Sequence, residues 1–286
     1  MGSITSYRIG DVISVLNQHA PLDTAEDWDN VGLLIGDPQL IVTGVVTSID
    51  LTHDVLKTAK EKKFNLILTH HPCIFPKNQG LSKITAGSVV YEAIREGIAV
   101  AAYHTNFDVC ALEILQSISQ RLGIAAKGRL FEESKTDLME LVAHVPEPAA
   151  SEAWVRGQGY GFWGEFPEPK AFSDFANDVK RMFNINGFWI TNPVPSQVKR
   201  IAFVAGKGAS FIEAAIKVGC DVFVTGEAGY HSALGGVRRG LTVMELGHRE
   251  SERFFIEAMR KWISNLDLEL VECQMPTQQI WLGGTQ

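Results

Sequence analysis

Leu66-Ile67-Leu68-Thr69-His70-His71-Pro72 is a short aliphatic run that stops on two adjacent imidazoles and a proline. A run of this length bounded by breakers reads as a strand buried on both faces, the kind that fills the interior of a parallel sheet. The histidines then stand at its carboxyl end, where the loops of open α/β sheets carry ligand-binding groups while the strands stay rigid. Successive strand residues face opposite ways, so both rings reach one site only after the chain has left the strand, and Pro72 favours that departure. One capping and one exposed histidine would satisfy the doublet equally well, so the flanking chain decides its meaning.

Working outward, Val42 to Ile49 reads as a strand, Thr52 to Lys62 as a helix and Phe64 to Leu68 as the next strand, which makes a βαβ unit. Val89 to Arg95 is helical, and Ile98 to Tyr103 is a third apolar strand that ends in His104-Thr105-Asn106-Phe107-Asp108. Glu113 to Gly123 and, upstream, Ile9 to His19 have helical spacing. The pattern is that of an α/β sandwich. Glu26-Asp27-Trp28-Asp29-Asn30-Val31-Gly32 sets acids, an amide and a glycine around a tryptophan, and reads as an Asx-rich turn capped onto a strand unless the site folds back to it.

Composition narrows the partners. With 286 residues the chain has ample core to fold without staples. The four cysteines, Cys73, Cys110, Cys220 and Cys273, are scattered without a CxxC, which argues against a zinc knuckle and suits a reducing, cytoplasmic setting. A net charge of -7 with no basic block offers nucleic acid no electrostatic footprint, so no direct nucleic-acid binding is expected. No apolar run approaches the roughly 20 residues needed to cross a bilayer. Small-molecule substrates or protein partners remain.

Lys127 to Ser196 changes character, gathering prolines, glycines and aromatics. Leu138 to Val145 reads as a strand, Gly157 to Gly164 as a tight hairpin with aromatic cover, Phe172 to Phe183 as a helix and Gly187 to Thr191 as an extended piece. From Val198 the first half returns. Asp54 to His71 aligns with Ser210 to Glu227 at a constant offset of 156 residues, setting Leu66-Ile67-Leu68-Thr69 over Val222-Phe223-Val224-Thr225. After a shift of 13, Ile94 to Val100 aligns with Val237 to Val243, and one further step sets His104-xxx-Asp108 over His248-xxx-Glu252. The expected organisation is a first α/β repeat over 1–126, an inserted or linking segment over 127–196 and a second repeat over 197–286.

Four predicted strand ends therefore carry polar groups: His70-His71, His104 to Asp108, Glu227 with His231, and His248 to Glu252. If a helix starts at His248, that ring and Glu252 lie one turn apart and can present two ligands to one ion. A single HxxxE or HxxxD is a common salt-bridged surface turn, and its repetition is what gives it weight. Imidazole with carboxylate suits zinc, iron, manganese or nickel better than calcium, and so many ligands permit two ions bridged by a carboxylate. Such a pair generates a hydroxide and stabilises developing oxyanion charge. Glu227 and His231 read as substrate contacts or as support for the ligands. Val204 to Ser210 is a strand, a glycine loop and a helix start whose amides could hold a phosphate, though it lacks Walker spacing and an ordinary βα turn fits as well.

Ala25 to Leu33, Thr69-His70-His71-Pro72, His104 to Asp108, Thr225-Gly226-Glu227 and Gly247-His248-xxx-Glu252-Arg253 together resemble the Nif-three-like family, many of whose members are labelled GTP cyclohydrolase I type 2 homologues. The resemblance spans nearly the whole chain. It implies two similar intertwined α/β domains with mixed or parallel sheets, a dinuclear metal site between them and a ring-like homohexamer. It also implies His71 and Asp108 on one ion, His70 and His248 on the other, and Glu252 across both, the two divalent ions being zinc, iron or manganese. Longer members carry a ferredoxin-like insert, of which this chain has room only for a remnant around Leu138 to Gly161.

The expected activity is metal-dependent hydrolysis of a nucleotide-like or phosphorylated small molecule, with His104, Glu227 or His231 handling protons. A dimetal site serves phosphoester, amide and ring hydrolysis alike. The competing expectation is a ring-shaped regulatory scaffold for protein partners, with structural metals.

Overall fold

A computed structural model describes residues 6–74, 84–130 and 159–273. The expected strand Leu138 to Val145 and most of the loop Pro72 to Leu81 fall outside them. The chain divides into two compact units, one comprising Met1–Ala111 with Phe254–Gln278, the other Leu112–Arg253 with Gln279–Gln286. A C-terminal stretch thus completes the first unit.

In the first unit the described elements include α1 (Ile9–His19), β1 (Gly32–Ile35), β2 (Val45–Ser48), α2 (His53–Lys62), β3 (Leu66–Thr69), α3 (Val89–Arg95), β4 (Ala99–Ala102) and α4 (Thr105–Cys110). The sheet runs β1-β4-β3-β2, closed at its far edge by β11 (Leu270–Glu272). Its interior strands β2, β3 and β4 are parallel and buried at every position, as their mainly aliphatic composition, broken only by Thr47, Ser48 and Thr69, allows. β1 runs antiparallel to β4. The α2 helix starts where the Thr52 side chain accepts from the Val55 amide, and it stops at Lys63 in the left-handed conformation.

The second unit holds α5 (Leu112–Leu122), β5 (Ala125–Leu130), β6 (Tyr160–Ala171), α6 (Phe172–Phe183), β7 (Trp189–Ile190), β8 (Gln197–Lys207), α7 (Ile212–Lys217), β9 (Val222–Glu227), α8 (Tyr230–Val237), β10 (Thr242–Glu245) and α9 (His248–Glu252). Its sheet runs β5-β6-β8-β9-β10-β7, with β8, β9 and β10 parallel and the flanking strands antiparallel. The helix over Phe172–Phe183 forms as expected. The Gly157 to Gly164 stretch differs from expectation: its described part enters the long β6, paired on both sides, and contains no turn. Gly161 is needed there for close approach, since a Cβ would stand 2.0 Å from the Phe203 carbonyl oxygen and φ is +54°.

The duplication appears in the hydrogen-bond ladder itself. Val45↔Leu66, Val46↔Ile67, Thr47↔Leu68 and Ser48↔Thr69 are the partners of β2 and β3; Ile201↔Val222, Ala202↔Phe223, Phe203↔Val224 and Val204↔Thr225 repeat them 156 residues later. The cores correspond too. Val46, Val55, Leu56, Ala59, Ile67, Ile98 and Val100 cluster in the first unit, and Ala202, Phe211, Ile212, Ala215, Phe223, Leu241 and Val243 occupy the matching places in the second. Burying each larger apolar side chain contributes about 1.5 to 3 kcal/mol, so the strand ends in both units project from rigid platforms.

Candidate metal centre

In the first unit β3 and β4 end level with one another, Thr69 opposite Ala102, so the residues that follow them emerge side by side. His70 is fully buried and His71 half-buried, while His104 occupies the N-cap position of α4 and Asp108 lies in that helix's first turn. The ring centroids of His70 and His71 are 5.0 Å apart, those of His70 and His104 5.2 Å, and those of His71 and His104 5.4 Å. One ring nitrogen from each of the three lies within 4.8 Å of the others. Asp108 Oδ1 stands 3.8 Å from His70 Nε2.

Each of these rings is fixed in the same way. His70 Nδ1 faces the Tyr103 carbonyl oxygen at 2.9 Å, His71 Nδ1 faces Asp50 Oδ1 at 2.7 Å, and His104 Nδ1 faces both Asp29 carboxylate oxygens at 3.0 Å. A carbonyl or carboxylate only accepts, so Nδ1 must donate in all three rings, and in the neutral imidazole Nε2 is left with its lone pair. That is how metal-binding histidines are usually oriented and made more basic. Asp29 also accepts from the Thr105 amide and hydroxyl. Burial works against its charge, but the His104 hydrogen bond, the His104 charge and the two Thr105 hydrogen bonds outweigh it and hold the carboxyl down to about 2.

In the second unit the short α9 does what its spacing predicts. His248 Nε2 and Glu252 Oε1 are 3.0 Å apart, and Glu227 Oε1 lies 3.4 Å from His248 Nδ1. Glu227 thus lies beside His248 Nδ1, at a longer distance than the 2.7 Å of Asp50 from His71 Nδ1. The helix is held close against the sheet: the Gly206 amide donates to Ser251 Oγ at 2.9 Å, and that hydroxyl donates to the His248 carbonyl at 2.6 Å. Gly206 has φ +65°, and a Cβ there would lie 2.3 Å from Glu252 Oε1. The glycine loop Val204 to Ser210 therefore makes room for a buried carboxylate. His231 is exposed on α8, its ring 5.2 Å from that of Tyr230.

The His70, His71 and His104 group could hold a divalent transition metal, and His248 with Glu252 could supply two ligands to one. Imidazole nitrogens and carboxylate oxygens bond such ions at about 2.0 to 2.2 Å, which places two ligands of one ion roughly 3 to 4 Å apart. The His248–Glu252 and His70–Asp108 spacings fall in that range. Sequence reasoning missed Asp50 and Tyr103. The acid-rich turn gave a signal for Asp29, because the chain does fold back there.

The model of the Duf34/NIF3 (NGG1p interacting factor 3) family matches residues 7–279. The chain belongs to the Duf34/NIF3 family. Its relatives include proteins named GTP cyclohydrolase 1 type 2 homolog from Staphylococcus aureus, 26% identical with 90% of this chain and 93% of that protein covered, and from Clostridium perfringens, 29% identical with 86% and 87% covered. Among solved structures, a Bacillus cereus protein related to NIF3 superposes with a TM-score of 0.81 over 97% of this chain and all of its own, at 20% identity. That likeness shows that the Duf34/NIF3 fold persists where most side chains have changed. Among the described residues no helix is long and apolar enough to cross a membrane.

Proposed function

We propose that this chain is a metal-dependent hydrolase that binds two divalent ions through His70, His71, Asp108, His248 and Glu252 and acts on a nucleotide-like or phosphorylated small molecule. The observation that carries this reading is the shared orientation of His70, His71 and His104, each with Nδ1 engaged by an acceptor. Divalent ions held by these residues supply Lewis acidity and an activated water at neutral pH. The protein's own groups do the rest. His104, backed by the buried Asp29, takes or gives a proton at Nε2; Glu227 orients His248; and exposed His231 contacts substrate. The names of the Staphylococcus and Clostridium relatives favour a purine nucleotide among candidate substrates.

Metal analysis by mass spectrometry, on protein purified without chelator or metal-affinity resin, tests the reading directly. About two ions per chain in the wild type and fewer in Glu252→Ala support it. A wild type that stays empty after incubation with zinc, iron and manganese overturns it. With the metal found, GTP and simple phosphoesters are then assayed: a ring-opened product identifies a cyclohydrolase, and phosphate alone a phosphohydrolase.

A further inference from the structure

We propose that Trp28 is a stacking platform for the planar heterocycle of the ligand, so that the substrate class carries a nucleobase-like ring and not merely a phosphorylated sugar; this rests on the metal-centre reading above. Trp28 is 43% exposed, a large apolar surface left in water beside the most polar cluster of its unit. Its indole lies 5.9 Å from the His104 ring and at 77° to it, an edge contact that leaves the residue 43% exposed. A ring stacked on Trp28 at the usual centroid separation of about 4.5 to 7 Å is therefore carried up to the His104 imidazole, whose partner Asp29 fixes it for proton exchange with a ring nitrogen or carbonyl.

The turn that displays the indole is held in place before any ligand arrives. The Asp29 amide donates to the Glu26 carbonyl at 2.9 Å and closes the turn that displays Trp28. On one side the Glu26 amide donates to Thr105 Oγ1 at 3.0 Å; on the other the Asn30 side-chain amide donates to the Ile74 carbonyl at 2.6 Å. An exposed aromatic held on both flanks loses little freedom when it binds, which is what a recognition surface requires.

The test compares GMP with ribose 5-phosphate, which has the sugar and phosphate but no base, by calorimetric titration of wild type, Trp28→Ala and Trp28→Phe, with metal content measured on the same samples. Loss of a base stack typically lowers affinity about 5-fold to 100-fold. The platform predicts that Trp28→Ala weakens GMP by at least about 5-fold, leaves ribose 5-phosphate unchanged and keeps its metal, and that Trp28→Phe restores most of the loss. Equal weakening of both ligands, unchanged GMP affinity, or a wild type that binds the two alike overturns the platform. Metal-free wild type overturns the metal-centre reading instead, because the base-dependent difference is judged separately from the ion count.

Discussion

Asp29 and His104, 75 residues apart in the chain, meet with both carboxylate oxygens 3.0 Å from one ring nitrogen. Asn at this position keeps the shape but presents an amide in place of a pure acceptor, and the ring loses the partner that fixes its tautomer. Asp29→Asn is expected to lower turnover by about 100-fold or more while bound metal is retained, because the ring it supports transfers a proton and is not among the ligands. Turnover and metal content measured on the same samples read the change.

The same carboxylate makes the first unit sensitive to acid. Its pKa falls from the ordinary 3.8 to about 2 in the fold. A depressed carboxyl stabilises the folded state fully above pH 3.8 and loses that contribution as pH falls through about 2. The shift corresponds to about 2 kcal/mol. Urea midpoints of metal-stripped wild type should therefore decline between pH 4 and pH 2, and Asp29→Asn should show a shallower decline; parallel curves would exclude Asp29 as the source.

Gly206→Ala and Gly229→Ala separate strain from collision. Both glycines have positive φ, +65° and +75°, yet nothing lies within 4 Å of a Cβ at Gly229, whereas Glu252 Oε1 lies 2.3 Å from one at Gly206. The backbone term alone costs about 1 to 3 kcal/mol in either variant. Only Gly206→Ala must also displace Glu252, so urea midpoints should drop further there and bound metal should fall with them.

Cys220 is expected to resist alkylation. Burial pushes its thiol up to about 12, and only 7% of the residue is exposed. Because the thiolate is the reacting species, iodoacetamide at pH 8 should leave Cys220 unmodified in the folded protein and label it once urea is added. Peptide mass mapping distinguishes it from the other cysteines.

The sequence made the ladder legible because buried parallel strands favour unbroken apolar runs, and Leu66 to Leu68 and Val222 to Val224 comply. It made the His248–Glu252 pair legible because a helical turn brings i and i+4 together. Asp50 behind His71 was not legible: a carboxylate just past the end of β2 resembles any solvated loop residue until Ser48 and Thr69 are seen to pair. Gly206 was only half legible: a glycine loop after a strand fits a phosphate cradle or an ordinary βα turn, and the sequence does not show that the space a Cβ would take is held by the chain's own Glu252. Gly161 and Gly164 suggested a turn by composition, but they mark close backbone approach inside a long strand.

The pairing of Leu130 with Tyr160 has a consequence for how the family can change. These residues are register partners on antiparallel strands, so the two ends of the chain that joins them are held side by side. Holding two chain ends together costs entropy that grows only with the logarithm of the length between them, about 0.6 kcal/mol for each doubling. Residues can be gained or lost between these two anchors without altering the β8–β9–β10 ladder or the turn that carries His248 and Glu252. The chain thus has a point of length variation that is thermodynamically insulated from its chemistry.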